Sequence, residues 1–300
     1  MSSTIHAFTG NNRNHVRKFA GLVTSVRPSP LFSLGSSSSP SLEVAVYSSV
    51  DISRESFGER SSTSPRVDTG VCGLLVLHPH PWLGGSANDV TVAGIVTAAV
   101  QSNRFQAVAT YQQRGVGRSK GRSSLVGCGA DMNDVARVLA SLCKTTQTND
   151  KIVWDDCDEE VSLPRRWHVV GYSWGACHVA GSVNAMLASV ERASILSITL
   201  LGFPMLSGSS CALFAPIART IRFLEQAVKT SASEQIPLFV FTAEHDEFTN
   251  AELMHKAIRA FPGGEAHAVT QVLPGLGHFN SPRTAHEIGM LIVERITSTL

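Results

Sequence analysis

The sequence predicts an α/β protein built on a mainly parallel sheet with helices on both faces. Three observations predict it. Short continuous apolar runs, such as Val71 to Leu77 and Pro237 to Thr242, suit strands buried on both faces. Stretches with helical spacing lie between such runs, so strands and helices alternate from Val71 onward. Gly171-Tyr172-Ser173-Trp174-Gly175 stands between a β-branched run, His168-Val169-Val170, and small apolar residues suited to a helix. Strand, G-x-S-x-G, helix is the setting that raises a serine on a sharp, strained turn above the sheet. The pentapeptide alone occurs by chance in roughly one chain in ten of this length, so the remaining elements have to decide.

Residues 1–41 precede the expected domain of residues 42–300. They hold no Asp or Glu, many serines, and Arg13, Arg17, Lys18 and Arg27. That composition fits an organelle transit peptide or a disordered extension. Leu42 to Ser48 alternates apolar and polar residues and reads as the first strand. Ser53 to Thr69 is polar, broken by Gly58 and Pro65, and reads as a long loop. Val71 to Leu77 is a strand, and Asn88 to Ser102 a helix capped by Asn88 or Ser86. Phe105 to Tyr111 is a strand, Gly115-Val116-Gly117 a turn, and Asp131 to Leu142 a helix with one apolar face. Lys144 to Pro164 carries Asp155, Asp156, Asp158, Glu159 and Glu160 and reads as a solvated loop, since no Gly-turned calcium loop is present. Beyond Ser173 come strands at Leu196 to Leu201, Pro237 to Thr242 and Ala268 to Leu273. Helices are expected from about Cys211 to Lys229, Asn250 to Ala260 and Ala285 to Thr297. Ligands of such sheets bind beyond the carboxyl ends of the strands.

The totals narrow the partners. A formal net charge of +1 over 300 residues argues against nucleic acid or an anionic surface as the main partner. No apolar run approaches the roughly 18–20 residues of a membrane span. The six cysteines include no C-x-x-C pair, so neither a zinc site nor a thioredoxin-type motif is indicated. Reduced, mostly buried thiols are expected, with the protein in the cytoplasm, or in a mitochondrion or other organelle if residues 1–42 are a transit peptide.

A serine hydroxyl becomes a useful nucleophile when a base takes its proton and a third group holds that base. On this kind of sheet the order is Ser, then Asp or Glu, then His. Asp246 falls just past the apolar strand Pro237 to Thr242, and His278 falls in a Gly-rich loop past Ala268 to Leu273. Ser173, Asp246 and His278 therefore stand in the required order. An oxyanion would need two backbone N–H groups. Trp174, after the serine, supplies one. In the loop Leu77-His78-Pro79-His80-Pro81-Trp82-Leu83-Gly84-Gly85 the prolines have no N–H, so between Pro79 and Pro81 only His80 can donate. The competing reading, His78 and His80 as metal ligands, lacks a third ligand nearby, and no metal or cofactor is expected.

With these residues in hand, the chain from about Leu42 onward resembles the α/β-hydrolase superfamily. Within it, it resembles compact serine hydrolases marked by His-Pro-His-Pro-x-x-Gly-Gly, related to the dienelactone hydrolase and esterase branch. The matching motifs are His78 to Gly85, Arg114-Gly115-Val116-Gly117-Arg118-Ser119, Gly171 to Gly175, Glu244-His245-Asp246-Glu247 and Gly277-His278-Phe279. The resemblance implies an α/β-hydrolase fold with little or no cap and a cofactor-free hydrolase of an ester or related acyl bond. Thioesterase, peptidase and acyltransferase activities, and a non-catalytic binding scaffold, are the alternatives it leaves open. Trp82, Leu83, Tyr172, Phe203, Met205 and Phe279 are expected to line a pocket for an apolar acyl or alkyl group. Any lid is confined to the stretch from Gly202 to about Lys229. Oligomeric state and the identity of the small-molecule substrate stay open.

Overall fold

The computed structural model describes residues 31–36, 39–48, 71–124, 129–144, 163–205 and 217–298. Eight strands among them form one sheet: β1 (Leu31–Ser36), β2 (Ser39–Ser48), β3 (Gly73–Leu77), β4 (Ala107–Tyr111), β5 (Trp167–Tyr172), β6 (Ile195–Leu201), β7 (Leu238–Ala243) and β8 (Ala268–Leu273). Their order across the sheet is β1-β2-β4-β3-β5-β6-β7-β8. β2 pairs antiparallel with β1 and with β4, and every pair from β4 to β8 is parallel. The sheet therefore begins before Leu42, because residues 31–36 of the expected extension add an edge strand. Residues 1–30, the Ser53 to Thr69 loop and residues 145–162 of the acidic segment lie outside the described residues.

Seven α-helices among the described residues accompany the strands: α1 (Val90–Gln101), α2 (Gly129–Lys144), α3 (Trp174–Ser189), α4 (Ile217–Glu234), α5 (Ala251–Ala260), the short α6 (Gly264–His267) and α7 (Pro282–Thr297). Successive strand residues point to opposite faces, and two cores result. Leu75, Leu77, Trp167 and Val169 pack with α2, α3, α4 and α5. Leu74, Val76, Val170 and Tyr172 pack with α1 and α7 on the other face. Burying each such aliphatic side chain stabilises the fold by roughly 1.5–3 kcal/mol. α1 and α7 cross closely because both are glycine at the crossing: a Cβ on Gly94 would lie 2.5 Å from the Ala285 carbonyl carbon, and one on Gly289 2.7 Å from the Gly94 oxygen.

The cap of α1 differs by one residue from expectation. Asp89 is the N-cap, its Oδ1 accepting from the N–H groups of Thr91 (2.8 Å) and Val92 (3.4 Å). A carboxylate at a helix N-terminus gains from the helix dipole as well as the hydrogen bonds. The stretch expected to be helical from Cys211 is described as helix only from Ile217, and α4 packs on α3 as part of the scaffold. No helix among the described residues is long and apolar enough to cross a membrane. Cys72, Cys143 and Cys177 are buried free thiols, and burial pushes the Cys143 thiol up to about 12.

The direction of chain progression reverses at β3, which lies between β4 and β5. The loops after β3 and β5 therefore meet at the carboxyl end of the sheet, where the strand order opens a crevice.

Candidate active site

Ser173 follows β5 directly and precedes the first residue of α3. Its backbone takes φ 55° and ψ −119°, outside the regions open to a side-chain-bearing residue, at a cost on the order of 1–3 kcal/mol. The surroundings hold it there. Its N–H donates to the Leu201 carbonyl at 2.8 Å, and its own carbonyl accepts from Ala176 at 2.9 Å. Only glycine fits on either side. A Cβ on Gly171 would lie 2.4 Å from the Gly175 oxygen, and one on Gly175 2.6 Å from the Leu77 oxygen at the end of β3.

The structure brings Ser173, His278 and Asp246 into one hydrogen-bonded row. His278 Nε2 lies 2.8 Å from Ser173 Oγ, and Nδ1 lies 2.9 Å from Asp246 Oδ2. A carboxylate can only accept, so Nδ1 carries the hydrogen and Nε2 is left to accept from the serine. All three side chains are buried. Asp246 Oδ1 is engaged separately by the N–H groups of Phe248 (2.9 Å) and Thr249 (3.0 Å), which fixes the rotamer that presents Oδ2 to the imidazole. The ring passes over the end of β6 where Gly202 (φ +55°) has no side chain; a Cβ there would lie 3.2 Å from His278 Cε1.

Several residues with no such role expected from the sequence hold His278 in place. Glu247 Oε2 accepts the His278 N–H at 2.7 Å, so this side chain turns to the histidine loop. The His278 carbonyl accepts from Tyr172 Oη at 2.7 Å and from Asn280 Nδ2 at 3.2 Å. Glu244 Oε2 accepts from Gly275 N–H at 2.8 Å, and the His245 N–H donates to the Leu276 carbonyl at 2.8 Å. The loops after β7 and β8 are thereby laced together. Phe248 lies edge-on to the imidazole with centroids 4.4 Å apart, and Phe279 stands 5.3 Å from it. An apolar residue two places after an acid is the one signal that could have pointed to Phe248.

His80 and Trp174, the expected oxyanion donors, adjoin each other, with ring centroids 4.8 Å apart. His80 caps the short turn Pro81–Leu83: its Nδ1 accepts from Trp82 N–H at 3.1 Å, and its carbonyl accepts from Leu83 and Gly85. Trp174 opens α3, where backbone N–H groups have no intrahelical acceptor and the dipole is positive. His78 does something different. Its Nδ1–H donates to the Pro79 carbonyl (2.7 Å), and its Nε2 accepts from Gln113 N–H (2.9 Å), so it ties the end of β3 to that of β4. Burial pushes this imidazole down to about 4, so it is neutral with both nitrogens engaged. Among the described residues no group of three or more His, Cys, Asp or Glu side chains is arranged to hold a metal ion.

The expected pocket divides. Trp82, Leu83 and Phe279 are exposed apolar side chains, the last of them at 73 %. Phe203 and Met205 are fully enclosed in the core against α3, α4 and α5, so they line no accessible surface. The chain turns inward after β6, and the Met205 N–H is bonded to Thr249 Oγ1. Tyr172 is also buried, on the α1 and α7 face, and supports His278 from beneath. Arg114 is occupied structurally. Its guanidinium pairs with Asp134 through Nε and Nη2 and donates to the Ala130 carbonyl at 3.2 Å. Gly115 and Gly117 take positive φ of 76° and 55°, as a glycine turn requires.

No protein-family model matches the chain, and no curated protein matches its sequence. Solved structures do share its fold. A serine hydrolase homologue from Coxiella burnetii superposes with a TM-score of 0.56 at 17 % identity, over 92 % of this chain and 99 % of its own. A serine hydrolase without a lid from Xanthomonas campestris gives 0.53 at 15 % identity, over 90 % and 93 %. Est1E from Butyrivibrio proteoclasticus, solved with ferulic acid bound, gives 0.55 at 10 % identity, over 89 % and 99 %.

Proposed function

The chain has the α/β-hydrolase fold, and we propose that it is a serine hydrolase cleaving an ester or related acyl bond through an acyl-enzyme. The observation that carries this reading is the Ser173–His278–Asp246 row, with its 2.8 and 2.9 Å contacts, on a serine whose backbone is held in a strained conformation. Serine hydrolases among the structures of like fold support it. The His78 to Gly85 motif inclines the reading toward the dienelactone hydrolase and esterase branch.

In this mechanism Ser173 Oγ attacks the acyl carbonyl as His278 Nε2 takes its proton. Asp246 holds the Nδ1–H and stabilises the imidazolium. The N–H groups of Trp174 and His80 receive the oxyanion. The imidazolium then protonates the leaving group. Water, deprotonated by the same nitrogen, releases the acid and restores Ser173. No cofactor takes part. The exposed Trp82, Leu83 and Phe279 supply an apolar lip for the acyl or alkyl group.

Labelling with a fluorophosphonate probe tests the reading: the native protein should label and Ser173→Ala should not. An intact protein that resists the probe and hydrolyses no p-nitrophenyl ester of any chain length would favour a binding scaffold. We place the enzyme in the cytoplasm; imaging of the full chain against residues 31–300 tests the alternative that the first residues carry an organelle address.

A further inference from the structure

Four cations fall within nine residues after β4, namely Arg114, Arg118, Lys120 and Arg122, with no acidic residue among them. In a chain of net charge +1 this is a local concentration of positive charge. Arg114 is neutralised by Asp134. Lys120 and Arg122 are exposed and form no ion pair with any carboxylate among the described residues. Arg122 is nonetheless fixed. Its guanidinium carbon lies 4.4 Å from the centroid of the Trp82 ring, and that ring is anchored by its Nε1–H to the Ser123 carbonyl at 3.2 Å. The neighbouring Ser124 N–H donates to Asp131 Oδ2 at 2.8 Å. Residues 122–124 are thus pinned to α2 on one side and to Trp82 on the other.

Trp82 belongs to the turn capped by His80, and His80 lies against Trp174 next to Ser173. A chain of contacts therefore holds a guanidinium at the lip of the candidate active site. Stacking on an indole covers the face of a guanidinium and leaves its N–H edge, with a fixed fork of donors, turned to an anion. We propose that the site accepts acyl substrates bearing a phosphate or carboxylate, which docks on Arg122 beside Trp82, with Lys120 adding to the attraction. This rests on the hydrolase reading above and assigns its substrate class.

The test is kcat/KM on two pairs that differ only in the anion. Butyryl-pantetheine against butyryl-4′-phosphopantetheine reads a phosphate on the thiol side. Methyl p-nitrophenyl glutarate against mono-p-nitrophenyl glutarate reads a carboxylate on the acyl side. One anionic member should be preferred about tenfold at low ionic strength, as a charge-assisted contact allows. The preference should shrink in raised salt, vanish or invert in Arg122→Glu, and return only in part in Arg122→Lys, which restores the charge without the fork. Equal rates within both pairs, or a preference that survives Arg122→Glu, would overturn the proposal while leaving the hydrolase reading intact. Should none of the four be turned over, calorimetric binding of the butyl thioethers of pantetheine and phosphopantetheine, and of methyl butyrate and monomethyl glutarate, to Ser173→Ala reads the same preference. Equal affinities within both pairs sink it independently of catalysis.

Discussion

Glu247 accepts the backbone N–H of His278 at 2.7 Å, while its neighbour Asp246 faces the imidazole of the same residue at 2.9 Å. Two consecutive acids thus hold the histidine by its main chain and by its ring, and they should respond differently to substitution. Asp246→Asn should lower kcat by roughly 10³–10⁴, because the wrong tautomer is then favoured. Glu247→Gln keeps an acceptor and should cost less than about tenfold, under about 1.4 kcal/mol of barrier. Glu247→Ala frees the N–H and should cost about tenfold or more, in kcat and not KM. Steady-state kinetics of the three purified variants on one ester checks this. A larger loss at Glu247→Gln than at Asp246→Asn would mean the acid is misassigned.

The strained backbone of Ser173 separates stability from activity. Ser173→Ala should abolish hydrolysis and leave the melting temperature nearly unchanged, since the positive φ persists. Ser173→Gly should be equally inactive yet more stable by about 1 kcal/mol, because glycine adopts such a conformation freely. Denaturant melts of the two variants settle it, and a glycine variant less stable than the alanine one would contradict the strain.

Three buried imidazoles give the fold an acid-sensitive core. Burial pushes His78 and His168 down to about 4 and His178 to about 3. Unfolded, each returns to about 6.5 and binds a proton that the native state refuses. Stability should therefore be level above pH 7 and fall as pH drops from about 6.5 toward 4, by up to about 1.4 kcal/mol per pH unit for each histidine. Urea melts at neutral and mildly acidic pH read the slope, and His178→Leu should make it shallower. An unaltered slope would remove His178 from the account.

The amino-terminal boundary can be found by truncation. Deleting residues 1–30 leaves β1 in place and should change neither activity nor melting temperature appreciably. Deleting residues 1–38 strips β1 from β2 and should lower the melting temperature by a few degrees, with a loss on the order of 1 kcal/mol. Failure of the shorter deletion to fold would show that the first thirty residues pack on the domain.

The inner parallel strands are legible in the sequence because a strand covered on both faces is largely apolar, as Gly73–Leu77 and Leu238–Ala243 are. β1 is not legible: Leu31–Ser36 pairs on one side only and sits among serines and prolines, so no such run marks it. Ser173, Asp246 and His278 were readable from their order past three strand ends. Their supports were not, because they depend on the paths of loops. Tyr172 adjoins the serine in sequence, yet strand alternation sends it to the opposite face, beneath His278. Phe203 and Met205 follow a strand as a lining residue would, and only the inward turn after β6 commits them to the core.

The loop after β8 has a fixed length for a geometric reason. His278 touches a residue at the end of β5, although its own strand lies three places away across β6 and β7. At about 4.8 Å between neighbouring strands, the loop and the His278 side chain together must reach back about 14 Å over the sheet, with only a few residues between Leu273 and His278. Surface loops ordinarily absorb insertions at little thermodynamic cost. This one is a tether cut to measure, so a single inserted or deleted residue between Pro274 and Gly277 would leave the domain folded and carry the imidazole out of reach of the serine.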